Sequence, residues 1–265
     1  MAAFSGQVAW ITGAGSGIGR AIALELAQQG AHVALSGRRK NRLELVAADI
    51  ERTGQQALVA TCDVTDDTVV TATAKRIVSH FGHLDVAVAN AGMSVAGRFE
   101  NLTTAEWRRQ LDVNVIGAVS TARAALPYLR DSGGRMVFVG SVMGFLCIPG
   151  NSAYSASKFA IRAIGLTLAQ ELEGTGVSCT TVHPGFVESE IAKVDNRGHY
   201  HPERSDKRPA FLMWKTDKAA KVIVDAIRRR KREYVFSTHG RVGAFVGAHA
   251  PGIAHALLSK TRQKE

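Results

Sequence analysis

A tyrosine and a lysine stand four residues apart in this chain, at Tyr154 and Lys158, and Ser141 precedes the tyrosine by thirteen residues. Positions four apart lie on the same face of a helix, one turn from each other. A free tyrosine has a pKa of roughly 10, too high for ready proton exchange near neutral pH. A lysine ammonium would stabilise the tyrosinate and lower the pKa of Tyr154. The spacing therefore predicts acid–base chemistry, in which Tyr154 exchanges a proton with a substrate oxygen that Ser141 holds by a hydrogen bond.

A glycine-rich segment, residues 12–19, follows the first apolar run and opens a helical pattern. In a turn of this kind Gly13 permits the tight bend, Gly17 lets the backbone approach a pyrophosphate, and Gly19 lets the helix pack closely on the strand. The phosphates would face the positive end of that helix. A dinucleotide site combined with a proton-transferring pair predicts an enzyme that transfers hydride.

The second predicted strand ends in Ser36, Gly37 and three cations, Arg38, Arg39 and Lys40. An NAD site normally presents a carboxylate near this point, which would repel a 2′-phosphate, whereas a guanidinium binds phosphate through two hydrogen bonds. The segment therefore predicts NADP(H), with Arg38 as the main contact and Arg39 in support. The alternative is that these charges only begin an exposed helix.

Apolar runs alternate with amphipathic stretches along the whole chain. Strands are predicted at residues 7–12, 31–36, 56–61, 84–89, 135–140, 177–182 and 234–236. Helices are predicted over 17–29, 41–52, 67–81, 105–130 and 153–172, and from an N-cap at Thr216 to about residue 232. This alternation predicts an α/β fold with a Rossmann-type, doubly wound parallel sheet, in a single domain spanning residues 1–265.

Two segments depart from this rhythm. Residues 188–215 are polar, contain Pro202 and Pro209, and are predicted to form a lid over the substrate. The second segment is a C-terminal extension, about residues 237–265. Glycines and Pro251 interrupt its nearly uncharged part, which is too broken to cross a membrane. It could dock on a neighbouring subunit or lie on a membrane surface beside the basic cluster at 228–232.

Taken together, these motifs resemble those of the short-chain dehydrogenase/reductase family, over about residues 7–236. Asn114, Ser141, Tyr154 and Lys158 match its catalytic tetrad in order and spacing. The resemblance implies that Lys158 also bonds the cofactor ribose and that Asn114 holds a water in a proton relay. Ser189 stands where the family usually has a threonine that contacts the nicotinamide carboxamide. With Arg38 and Arg39, the implied cofactor-binding residues are Gly13, Ser16, Gly17, Ile18, Gly19, Asp63, Val64, Asn90, Ala91, Gly92, Tyr154, Lys158, Pro184, Gly185, Val187 and Ser189.

The substrate is expected to be hydrophobic, because the loop after Ser141 and the lid are rich in apolar side chains. Four residues are predicted to line its pocket: Met143, Phe145, Ile148 and Phe186. The chain is therefore expected to be an NADP(H)-dependent oxidoreductase that interconverts a hydrophobic ketone and a secondary alcohol, a carbonyl reductase. Two alternatives remain, a 3-oxoacyl thioester reductase and a non-catalytic NADP(H)-binding sensor.

The net charge of +10 is confined to one part of the chain. Residues 197–265 contain 16 Lys/Arg and 6 Asp/Glu, whereas residues 1–196 contain 17 of each. The excess fits a solvated basic helix, contact with an anionic membrane surface, or an acidic part of the substrate. No recognition motif accompanies it, so no nucleic-acid partner is expected. The family resemblance implies a homodimer or homotetramer.

Cysteine and histidine usage gives two further expectations. Three widely spaced cysteines, with no signal-peptide pattern, are typical of reduced thiols, so the protein is expected to be cytoplasmic, with peripheral membrane contact as an addition. His199 and His201 flank one residue in the lid, but no metal site is expected, because no accompanying cysteine or carboxylate pattern is evident in the sequence.

Overall fold

Seven parallel strands form the central sheet of the protein, as seen in a computed structural model that describes residues 2–206 and 208–259. The strands are β1 Val8–Thr12, β2 His32–Gly37, β3 Ala57–Thr61, β4 Val86–Ala89, β5 Arg135–Val139, β6 Ser178–His183 and β7 Glu233–Val235. Their order in the sheet is β3-β2-β1-β4-β5-β6-β7. The direction of winding reverses between β1 and β4, which opens a crevice at the carboxyl ends of these strands. The predicted doubly wound sheet is confirmed.

Nine helices surround this sheet within the described residues. They are α1 Gly17–Gln28, α2 Lys40–Glu51, α3 Asp67–Phe81, α4 Thr104–Leu111, α5 Gly117–Ser132, α6 Ser152–Glu171, α7 Thr216–Arg228, α8 Thr238–His249 and α9 Pro251–Leu258. One apolar core joins α1, α2 and α7 to the first face of the sheet, and another joins α3, α5 and α6 to the second. Ile11 and Trp10 of β1 enter opposite cores, which is why this strand is apolar throughout.

The helix predicted over residues 105–130 is not continuous. A π-helical turn, Asp112–Ile116, separates α4 from α5. Such turns insert an extra residue into a helix and often lie at functional sites. Asn114 lies at the centre of this turn, which positions its side chain for hydrogen bonds to the backbone of Met93.

The helix predicted to end near residue 232 ends earlier, at Arg228, and begins at Thr216 with Lys215 as its N-cap. Arg230 has left-handed backbone, with φ of 51°. Its guanidinium donates to the carbonyls of Gly133 at 2.7 Å and Gly176 at 2.9 Å. The helix therefore ends just before Arg230, whose side chain binds carbonyls at the amino edge of the sheet.

The glycines of the C-terminal extension do not interrupt α8, contrary to the sequence-based expectation. Gly240, Gly243 and Gly247 recur at helical spacing and face the loop that follows Ser141. A Cβ on Gly243 would lie 3.0 Å from Leu146 Cδ1, and one on Gly247 would lie 2.2 Å from the carbonyl oxygen of Phe145. The missing side chains thus let α8 pack directly on that loop. Within the described residues, no helix is long and apolar enough to cross a membrane.

Replacing Gly247 by alanine is expected to destabilise the protein by about 1–3 kcal/mol, the usual cost of overpacking, because the new methyl group overlaps the Phe145 carbonyl. Urea unfolding measures the change. Gly252→Ala in α9 is the matched control, since a Cβ there meets nothing within 4 Å. Equal stability of the two variants would contradict the packing of α8 on the loop.

Candidate active site

The glycine turn connects β1 to α1 at the crevice. Gly13 has φ of 66°, a conformation that residues with a side chain seldom adopt. A Cβ on Gly19 would lie 2.4 Å from the carbonyl oxygen of Gly13, so only glycine lets α1 start this close to the turn. Ser16 caps α1 without a side-chain hydrogen bond to the helix. The amides of the first turn of α1 are therefore available to an anionic group.

Asn90 and Thr12 hold this turn against the end of β4. Asn90 Nδ2 donates to the carbonyl oxygens of Thr12 at 2.8 Å and Gly13 at 3.3 Å. Thr12 Oγ1 accepts from the backbone amides of Asn90 at 3.1 Å and Ala91 at 3.2 Å. The motif at residues 90–92, which the sequence assigned to the cofactor, thus also fixes the shape of the phosphate-binding turn.

Ser141, Tyr154 and Lys158 meet at the carboxyl edge of the sheet. Ser141 follows the end of β5, and its hydroxyl accepts from the backbone amide of Met143 at 3.1 Å. Tyr154 and Lys158 lie on α6, with Lys158 Nζ 5.5 Å from the centroid of the Tyr154 ring. The ammonium of Lys158, which is only 7% exposed, donates to the carbonyl oxygen of Val139 at 3.0 Å. The predicted serine, tyrosine and lysine are therefore neighbours, and all three line one cleft.

The electrostatics of this group differ from the sequence-based expectation. Burial lowers the pKa of Lys158 to about 8, because a desolvated ammonium is disfavoured. Burial raises the pKa of Tyr154, and the hydroxyl of Ser141 and the charge of Arg208 only partly oppose that rise. The expected lowering of the pKa of Tyr154 by Lys158 is not found in this geometry, in which the ammonium of Lys158 donates to Val139.

Asn114 supports the cleft through Met93 rather than lining it. Asn114 Oδ1 accepts from the Met93 amide at 2.9 Å, and Nδ2 donates to the Met93 carbonyl at 3.0 Å and to Ser157 Oγ at 3.1 Å. Both amide hydrogens are thereby used. The water relay implied by the family resemblance stays a prediction, and these hydrogens are not free to serve it.

Asn114→Ala is expected to lower the free energy of unfolding by about 2–3 kcal/mol, because it leaves the buried amide and carbonyl of Met93 without partners. Urea denaturation checks this value. Asn41→Ala, on the exposed first turn of α2, is the control and should change stability by less than about 0.5 kcal/mol. Similar stabilities for the two variants would mean that the Asn114–Met93 pair does not hold the cleft wall.

Every cofactor-binding residue predicted from the sequence lines this same cleft. At the end of β2, the exposed Arg38 has no carboxylate partner among residues 2–206 and 208–259, and its guanidinium lies about 4 Å from the Cβ position of Gly198 in the lid. Arg39 donates to Ser16 Oγ at 3.0 Å and forms an ion pair with Glu190 at 3.0 Å. Of the two arginines, Arg38 is thus the one left available for an anion.

Sequence reasoning did not assign several lid residues that line the cleft, among them the polar side chains of Glu190, Tyr200 and Arg208. Arg208 makes a bidentate ion pair with Asp206, and its Nη2 approaches Ser189 Oγ at 3.4 Å. No local pattern marks these residues, because only the folding of the lid over the glycine turn brings them to the cleft.

The lid histidines His199 and His201 both contact a carboxylate of the same segment. His201 contacts Asp195 at 2.9 Å and Glu203 at 3.1 Å, and Asp195 also accepts from the backbone amide of His199 at 2.8 Å. The hydrogen bonds of His201 and His199 hold the pKa of Asp195 below its usual range. These contacts close a turn within the lid.

The four residues predicted to line the substrate pocket are not among those that line the cleft. Phe145 is buried between Arg162, whose guanidinium carbon lies 3.9 Å from its ring centroid, and His183. It lines a second cavity, separate from the cleft of Ser141 and Tyr154, and its contact with substrate stays a prediction. Phe186 stacks on His239 at 5.5 Å. Met143 and Ile148 are partly exposed in the loop after Ser141, and their contact with substrate stays a prediction, as does that of Phe186.

Comparison with known proteins places this geometry in a family. The family model described as short chain dehydrogenase matches residues 7–199. An uncharacterized oxidoreductase of Staphylococcus epidermidis is 38% identical over 199 residues, 75% of this chain and 85% of the relative. An uncharacterized oxidoreductase of Staphylococcus aureus is 37% identical over 197 residues, 74% of this chain and 84% of the relative.

Solved structures are similar over most of the chain. A short chain dehydrogenase from Burkholderia cenocepacia in complex with NADP is 30% identical with a TM-score of 0.78, covering 88% of this chain and 96% of that one. An alcohol dehydrogenase from the archaeon Thermococcus sibiricus, complexed with 5-hydroxy-NADP, is 29% identical with a TM-score of 0.76, covering 87% and 95%. The fold, the assembled serine, tyrosine and lysine, and these matches together establish that the chain belongs to the short-chain dehydrogenase family of oxidoreductases.

Proposed function

We propose that this oxidoreductase is NADP(H)-dependent and interconverts a hydrophobic ketone and a secondary alcohol. The observation that carries the proposal is the meeting of Ser141, Tyr154 and Lys158 in the cleft that the glycine turn opens. One solved relative is described as an alcohol dehydrogenase, and two were determined with NADP or a derivative of it.

The chemistry assigned to the chain is proton transfer and positioning. When bound, the reduced nicotinamide supplies the hydride. In reduction Tyr154 donates its hydroxyl proton to the carbonyl oxygen, and in oxidation it accepts the proton of the alcohol. The Ser141 hydroxyl donates a hydrogen bond to the same oxygen and fixes its position. Lys158, largely protonated at neutral pH with a pKa of about 8, stabilises the negative charge that Tyr154 acquires as it gives up its proton.

The preference for NADP(H) rests on the charge at the end of β2. Gly37 stands at the end of β2, where an NAD site normally has a carboxylate that binds the ribose 2′-hydroxyl. The Arg38 guanidinium lies at the cleft without a carboxylate partner among the described residues. Arg38 is therefore assigned to the 2′-phosphate. Arg39, which pairs with Glu190, contributes less while that pair is formed.

The preference for a hydrophobic substrate rests on the apolar residues of the cleft. Met93 and Val113 line the cleft, and the lid adds Ile191 and Val194. Pockets of this composition favour apolar ligands with one polar group that fixes their orientation.

The proposal is tested by following NADPH oxidation by the purified protein over a panel of aliphatic and cyclic ketones, steroids, aldehydes and oxoacyl thioesters. We expect the highest kcat/KM for an apolar ketone. A preference for the thioesters would replace this substrate class by the 3-oxoacyl alternative. Tight NADPH binding without turnover of any panel member would favour the non-catalytic sensor.

A further inference from the structure

The C-terminal helices α8 and α9 leave large apolar side chains in solvent. Val242 is 58% exposed, Phe245 64%, Ile253 60% and Leu257 64%. Four of the ten large apolar side chains that are exposed within residues 2–206 and 208–259 thus fall in these two short helices. Exposed apolar residues concentrated in one place mark an interaction surface, whereas scattered ones do not.

These side chains form a stripe on each helix, and on α8 the stripe lies opposite the packed glycine face. Val242 and Phe245 are three residues apart on α8, and Ile253 and Leu257 are four apart on α9, so each pair lies on one helix face. The glycine face of α8 is already in contact with the loop after Ser141. On α9 only Ala254 is buried. The stripes are therefore not part of the core of the described chain.

The charge of the extension indicates what covers them. No Asp or Glu occurs between residues 234 and 264, a stretch that contains Arg241, Lys260, Arg262 and Lys264. A two-fold interface built from residues 234–264 would add cations of this segment from both copies and no acid of the segment itself, because such an interface is made of the same patch twice. Exposed apolar side chains in a segment that is basic and poor in acids are instead typical of a segment that binds an anionic lipid surface.

The basic cluster at residues 228–232, which the sequence placed beside this extension, does not belong to the same surface. Arg230 binds carbonyls at the amino edge of the sheet, whereas α8 begins at the carboxyl edge, after the end of β7. Arg228 and Arg229 are paired with Asp225. The extension therefore has to carry the contact with its own residues.

We propose that α8 and α9 bind the surface of an anionic lipid bilayer through Val242, Phe245, Ile253 and Leu257, with Arg241 meeting the headgroups. The helices are too short to span a bilayer and lie along it. Because α8 packs on the loop after Ser141, the bilayer surface would be separated from that loop by about one helix diameter, roughly 10 Å. An apolar substrate dissolved in the membrane would then be near the catalytic residues.

Vesicle flotation of the full chain tests this proposal, with vesicles of phosphatidylcholine and phosphatidylglycerol compared with phosphatidylcholine alone. We expect the protein to float with the anionic vesicles only, and less so at high salt, since salt screens the headgroup attraction. The double variant Phe245→Ser/Leu257→Ser should lower the apparent affinity roughly tenfold or more for each apolar side chain lost from the bilayer.

The matched control is Leu45→Ser/Phe99→Ser, which removes two side chains of similar exposure, 63% and 70%, from other surfaces. It should float like the wild type. Circular dichroism and NADPH binding confirm that both double variants are folded. The proposal is overturned if the wild type does not float, if it floats equally with neutral vesicles, or if the two double variants behave alike. Dissociation of an oligomer by Phe245→Ser/Leu257→Ser, seen by light scattering without vesicle binding, would assign the stripes to a second copy.

Discussion

Tyr154→Phe is expected to lower kcat by about a thousandfold while NADPH binding is retained. General acid–base groups contribute roughly 10²–10⁴-fold to turnover, and this variant removes the hydroxyl to which that role is assigned. The phenylalanine ring preserves the packing of Tyr154 between Ser141 and Lys158, so the cleft keeps its shape. Steady-state kinetics with the best ketone of the panel, together with NADPH fluorescence titration, measures both quantities.

Tyr234→Phe is the matched control for this experiment. This variant also removes one tyrosine hydroxyl, but from β7, where the Tyr234 ring stacks on Phe236 and does not line the cleft. Its turnover should therefore equal that of the wild type. Retained turnover in Tyr154→Phe would show that another group transfers the proton. Loss of NADPH binding in that variant would instead point to a role of the hydroxyl in holding the cofactor.

Arg38→Ala is expected to reduce the preference for NADPH over NADH by about 10- to 100-fold. Hydrogen bonds to charged groups contribute about 1.5–3 kcal/mol, and each 1.4 kcal/mol is a factor of roughly ten in affinity. The loss should fall on NADPH alone, because NADH has no 2′-phosphate. Dissociation constants of both cofactors, measured by fluorescence titration at one fixed ionic strength, give the ratio.

Lys40→Ala separates local contact from overall charge in this test. Lys40 begins α2 two residues after Arg38 and lies 3.5 Å from Glu44, and it does not line the cleft. Its removal changes the net charge as much as that of Arg38 does, yet should leave the cofactor preference within about threefold, as expected of an exposed and screened cation. If both variants lose the same preference, Arg38 acts through the general field and not by binding the phosphate.

Much of this protein was determined by local sequence. The strands and helices follow apolar periodicity, which depends on neighbouring residues only, so the doubly wound sheet was predicted with small shifts at the ends of elements. The glycine turn and the Tyr154–Lys158 spacing are likewise local, because a backbone conformation and one helical turn impose them. Since the carboxyl ends of parallel strands share one edge, the order of the motifs also predicted that Ser141 meets this pair.

Other features were decided by contacts between residues far apart in the sequence. The π turn exists where Asn114 bonds Met93, and α7 ends where Arg230 reaches the carbonyls of Gly133 and Gly176. Arg208 enters the cleft only because the lid folds over the glycine turn. Burial, which no local pattern reports, sets the pKa of Lys158.

The C-terminal extension shows the same division most clearly. Its glycines suggested an interrupted segment, since isolated glycine weakens a helix. In the structure they are the face of α8 that lies against Phe145 and Leu146, and the packing gained there outweighs the weak helix propensity. Sequence alone determined that residues 242–258 of this segment are largely apolar and free of acids. Only the tertiary structure determined which of its side chains are covered and which remain exposed, because that depends on the surface against which the helix packs.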